Sequence, residues 1–134
     1  MTKLHGYWGC RIPAARRWIG WSARRRTSSP GGVSRLPLSH VDGAPLDMSF
    51  SGLKTAVVNL AHHTQQIGEE LDRAALARDF AQAVSDTLVP RAMEALRQTG
   101  RKALCAAGGV AANSIIRGDL ERACAEAGCR LYLA

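Results

Sequence analysis

The sequence predicts an α/β fold in which helices pack on a small sheet, and three observations carry that expectation. A short apolar run, "ALCAA" at 103–107, is bounded by charge on one side and glycine on the other, as a buried parallel strand is. Apolar residues recur at helical spacing before and after it. A second strand-like run, "CRLYLA", closes the chain. At 134 residues this is one domain at most, or a piece of one, and 46% hydrophobic content is enough for a core.

The elements follow in order. "PLSHVDGAPLDMSF" is a Pro/Gly-punctuated connector in which His40 and Asp42 read as loop residues. A helix can start from Asp47 or Ser49, since either side chain can accept from an exposed backbone N–H. Its stripe would be Phe50, Leu53, Val57, Leu60 and Ala61. His62 and His63 are adjacent, so they point about 100° apart on a helix and do not form a metal pair; they read as exposed helix-end residues. A second helix is expected from Asp72 to Gln98, striped by Leu76, Phe80, Ala83/Val84, Leu88, Ala92 and Leu96. Pro90 should kink or split it, and Gly100 should close it. A third helix is expected from Asn113, with Ile116, Leu120, Ala123 and Ala127 on one face and Gly128 as its stop.

Charge divides the chain. Residues 1–40 hold eight basic residues and no acid, whereas 41–134 carry a net charge of −1, against +7 overall. All three tryptophans (Trp8, Trp18, Trp21) also fall in the first segment. A basic arm on a phosphate backbone, an interfacial anchor and a transit peptide are each compatible with "RRWIGWSARRRTSSPGGVSR". So is translation in a shifted frame, in which "GCRIPAARRWIGW" can read V-P-Y-P-G-G-P-A-L-D-R-L. The expected division is therefore a basic, non-native or disordered segment at 1–35 and an incomplete lobe at 36–134.

No apolar run approaches the roughly 20 residues of a membrane span, and no signal-peptide pattern opens the chain, so a cytoplasmic location is expected. Cys10, Cys105, Cys124 and Cys129 form no C-x-x-C pair and read as small buried residues of a reduced compartment.

The segment "ALCAAGGVAANSIIR" joins a strand to a helix through Gly108-Gly109. Such a turn can admit a phosphate close to the backbone, with N–H groups at the helix start directed at it. Asn113 can cap that helix or donate its amide to a ligand. Any tight strand-to-helix turn looks similar, so the turn alone leaves both readings open.

"LDMSFSGLKTAV", "ARDFAQAVSDTLVPRAMEAL" and "ALCAAGGVAANSIIRGDL", in that order, resemble the tRNA N6-adenosine threonylcarbamoyltransferase family, formerly called glycoproteases or O-sialoglycoprotein endopeptidases. The resemblance covers roughly residues 36–134. It implies a partial lobe of the actin/Hsp70/sugar-kinase ATPase-like fold. It implies transfer of threonylcarbamoyl from its adenylate to N6 of adenosine 37 in tRNA, with other proteins of threonylcarbamoyladenosine synthesis as partners. Gly108 and Gly109 would lie along the nucleotide, and Asn113 would contact the threonylcarbamoyl-adenylate. The family carries Y-P-G-G-P shortly before this region, which the shifted frame reproduces; that coincidence favours a frameshifted gene piece. The family also binds a divalent metal, iron or zinc, through a His-x-x-x-His pair and an aspartate, none of which matches a position here. No catalytic residue and no metal ligand is therefore assigned, and the chain alone is expected to be inactive. A basic-arm nucleic-acid-binding module and a fragment of another actin-fold carbamoyltransferase or kinase are the competing readings.

Overall fold

The computed structural model describes residues 36–38, 41 and 43–134; the expectations for 1–35, Cys10, His40 and Asp42 lie outside them. Three helices and two strands follow in the order α1 (Ser51–Gln66), α2 (Arg73–Thr99), β1 (Ala103–Ala106), α3 (Ser114–Ala127) and β2 (Arg130–Leu133). The strands pair in parallel, Ala103 opposite Arg130 and Ala106 opposite Leu133, so β1–α3–β2 is a βαβ unit.

The main core lies between α2, α3 and one face of the sheet. Val89 and Met93 of α2 are 0% exposed, and Leu96 joins Ile116, Leu120, Ala123, Cys124 and Ala127 of α3. Leu104, Ala106 and Leu131 close it from the sheet. The four residues expected on α3 are all buried. Its ends also match expectation: Asn113 is the N-cap, and Gly128 adopts the left-handed C-cap with φ 67°. Asp72 caps α2, accepting from the Ala75 N–H at 2.9 Å, and Gly100 ends that helix at φ 66°.

Several expectations are corrected. No side chain caps α1, whose N-cap position is Phe50. Asp47 lies three residues before that position; its backbone N–H donates to Ala44 O at 3.1 Å and its carbonyl accepts from Arg91 Nε at 2.9 Å. Ser49 instead hydrogen-bonds the Ser51 hydroxyl.

Pro90 does not split α2, which is continuous from Arg73 to Thr99. An interior proline costs about 3 kcal/mol. Here it sits between Val89 and Met93, whose complete burial holds the helix on both sides. The single stripe expected on α2 is also too narrow. Ala75, Ala81, Ser85, Asp86 and Thr87 are buried as well, so the middle of the helix is covered on more than one side.

Strand β1 is not buried as a whole. Its residues alternate exposed and half-buried, because only one face of the sheet meets the helices among the described residues. Cys105 accordingly is exposed, whereas Cys124 is buried and Cys129 is half-buried. Burial pushes the Cys124 thiol pKa up. His62 and His63 are exposed near the end of α1, as expected.

Candidate nucleotide-facing turn

The link between β1 and α3, residues 107–113, is built from overlapping tight turns. Ala111 N–H donates to Gly108 O at 3.1 Å, Ala112 to Gly109 O at 3.3 Å, and Asn113 to Val110 O at 3.1 Å. Gly108 has φ 92°, where a side chain is strained, and a Cβ built on it or on Gly109 meets nothing within 4 Å. The space over both glycines is therefore open. Ala111 is buried and anchors the turn; Val110 is exposed.

Asn113 Oδ1 accepts from Ile115 N–H at 3.0 Å and Ile116 N–H at 3.4 Å. These donors at the helix start are thus taken by the cap rather than left for a ligand. The N–H of Ser114, the first helical residue, has no acceptor among the described residues, and further unpaired donors lie earlier. Among the described residues, no group accepts from the N–H of Gly108, Gly109 or Val110, or from Asn113 Nδ2. Three successive backbone N–H groups and one side-chain amide are available to an anion at an open turn.

The βαβ unit is fixed behind this turn by a polar network that apolar periodicity does not reveal. Asp119, only 2% exposed, accepts from Ser85 Oγ at 2.7 Å and from Gln82 Nε2 at 3.1 Å, and pairs with Arg122 at 3.3 Å. The Gln82 amide also donates to Asp86 Oδ1 at 3.0 Å. The available signal was an acid between Ile116, Leu120 and Ala123, on the face that those residues define.

A separate concavity of about 970 Å³ lies at the α1–α2 connection, lined by Ala61, Gln65 and Leu71 and by the charged Glu69, Glu70, Asp72 and Arg73. It includes no residue of the glycine turn. Among the described residues no three His, Cys, Asp or Glu side chains converge as a metal site. They do not fit the divalent metal that the resemblance implies, and no step below runs through one. No helix among the described residues is long and apolar enough to cross a membrane.

The profile of the TsaD family, tRNA N6-adenosine threonylcarbamoyltransferase, matches residues 18–134. The chain belongs to the TsaD family. The match reaches back into the basic segment, beyond the point where the motifs begin. Among TsaD relatives, the tRNA N6-adenosine threonylcarbamoyltransferase of Moorella thermoacetica is 41% identical over 72% of this chain and 28% of its own length. That of Bordetella parapertussis is 43% identical over 78% of this chain and 32% of its own. That of Lacticaseibacillus casei is 56% identical over 51% of this chain and 20% of its own. The chain thus spans a third or less of the length of these relatives.

Proposed function

We propose that this chain is the nucleotide-facing piece of a threonylcarbamoyl-transferring TsaD protein, part of an actin/Hsp70/sugar-kinase-like lobe working on tRNA in the cytosol. The observation that carries the reading is the run of unpaired N–H groups at Gly108, Gly109 and Val110 beside the free Asn113 amide. An adenylate phosphate seated there would receive hydrogen bonds from the backbone, and Gly109 would let it approach. Asn113 would cap α3 through its oxygen and hold the threonylcarbamoyl-adenylate through its nitrogen. In the transfer, N6 of adenosine 37 bonds to the carbamoyl carbon and loses a proton. The bond from that carbon to phosphate oxygen breaks, and AMP leaves. The N–H groups would stabilise the charge on the departing phosphate.

Transfer needs groups oriented on both sides of the reacting atoms and exclusion of water. The described residues offer one wall and no metal ligands, so this chain alone should not modify adenosine 37. Modification by the purified chain above a no-enzyme blank would overturn that expectation. The binding reading is tested by titrating the isotope-labelled chain with a non-hydrolysable threonylcarbamoyl-adenylate analogue. Amide resonances of Gly108, Gly109 and Val110 and the Asn113 side chain should shift first; unmoved resonances at all four would refute it.

A further inference from the structure

The strand starts gather a second group of donors. Arg101 and Lys102 directly precede β1, and Arg130 opens β2. The Arg130 N–H donates to Lys102 O at 2.9 Å, so both backbones are tied at this end of the sheet. All three side chains are exposed, and among the described residues none pairs with a carboxylate. Arg97 is held by Glu94, Arg122 by Asp119, and Arg91 by the Thr87 and Asp47 carbonyls, whereas Lys54, Arg73, Arg78 and Arg117 are also exposed without a carboxylate partner among the described residues but stand on helices, away from this end of the sheet.

We infer that Arg101, Lys102 and Arg130 form a contact surface for an RNA phosphate backbone. Cations whose backbones are tied at the start of two paired strands meet a polyanion with less backbone to order than a flexible arm has. The stretch from Lys102 to Gly108 passes through β1, so the surface lies about 20 Å along the sheet from the glycine turn. One RNA hairpin can span that distance, with a loop base at the turn and stem phosphates on the cations. The choice of RNA over another polyanion rests on the proposed function, since the relatives' names specify tRNA as what they act on.

The test compares two variants of the full chain that lose equal charge. One carries Arg101→Gln, Lys102→Gln and Arg130→Gln; the other neutralises the exposed Lys54, Arg73 and Arg78 in the same way. The basic residues of 1–40 are common to both, so their contribution cancels. The probe is an RNA stem-loop with an unmodified adenosine in its loop, titrated across a salt series, with circular dichroism confirming the fold. The first variant should bind at least about tenfold more weakly, and its log K–log salt slope should fall by about 2. The second should change by less than about threefold. Equal losses in the two, no loss in the first, or the same dependence for anionic vesicles without RNA binding would overturn the inference. The adenylate titration should be unchanged in the first variant. Its failure in the parent chain, with RNA binding intact, would count against the nucleotide reading alone.

Discussion

Substituting Asn113 separates its two roles, because the structure commits one end of the side chain and leaves the other open. The Oδ1 cap makes one good bond to Ile115 N–H at 3.0 Å and one long bond to Ile116 N–H at 3.4 Å, on an exposed residue. That places Asn113→Ala near about 1 kcal/mol of lost stability. For a domain of this size it is a fall in Tm of roughly 4–8 °C. Serine and aspartate cap about as well as asparagine. Asn113→Ser and Asn113→Asp should therefore unfold within about 0.5 kcal/mol of the parent in urea. Neither offers Nδ2, and aspartate sets a negative charge where a phosphate is expected. If Nδ2 donates to the adenylate, both should weaken binding of the non-hydrolysable analogue by about 1–3 kcal/mol, roughly five- to 150-fold. Calorimetry on the full chain reads the affinity. Parent-like affinity in Asn113→Asp, with stability preserved, would refute the assignment. A large loss of stability in Asn113→Ser would instead show that the cap requires asparagine specifically.

Gly108→Ala should cost about 1–2 kcal/mol in urea denaturation, because φ 92° is strained for alanine even in open space. Gly109→Ala should leave stability within about 0.5 kcal/mol and weaken analogue binding, since its Cβ enters the space that the ligand would use; unchanged binding would remove Gly109 from the site. A double-mutant cycle of Ser85→Ala and Asp119→Asn should show a coupling of about 1–3 kcal/mol, and additive losses would show that the 2.7 Å bond carries no energy. The Glu94 carboxyl is lowered to about 2 by hydrogen bonds from Arg97 and then Gln98, against the opposing effect of burial. The favourable contribution is complete above its ordinary value of 4.5 and fades as pH falls toward 2. Glu94→Gln should flatten that part of the acid denaturation curve slightly, the pair being surface-exposed and screened; an identical acid limb would refute the coupling.

Much of this was legible because local chemistry and tertiary packing agree. Asn113 as a cap, Asp72 as a helix start, and Gly100 and Gly128 as stops depend on backbone groups within one turn, so their residue types announce them. The α3 face was readable because it has one apolar partner side. Pro90 leaves α2 unsplit because its local penalty is outweighed by the contacts of Val89 and Met93 with residues distant in sequence. The N-cap position of α1 falls on Phe50, one residue after Ser49, without a side-chain cap, while the Ser49 hydroxyl bonds Ser51 Oγ, a choice that residue type does not encode. At the candidate site the glycines and asparagine were identifiable by type. Which N–H groups remain unpaired depends on turn geometry that no residue type encodes. The Asp119 network is not legible in the sequence because its partners Ser85 and Gln82 lie on another helix, off the stripe expected through Phe80, Val84, Leu88 and Ala92.

The Arg91 clamp has a kinetic consequence. The principal core comprises α2, α3 and the sheet, with no α1 residue in it, although Leu53 is buried. Helix α1 is held alongside by that smaller contact and, just before its first turn, by one guanidinium bridging the Thr87 and Asp47 carbonyls. With only Leu53 and Thr64 buried along it, α1 should open as a unit of its own at lower free energy than the core. Its amides should exchange with solvent water through a partial detachment that leaves the βαβ layer protected. Replacing Arg91 by lysine, which lacks the forked geometry, should hasten exchange along α1 while leaving the slowest α3 amides at their parent rates.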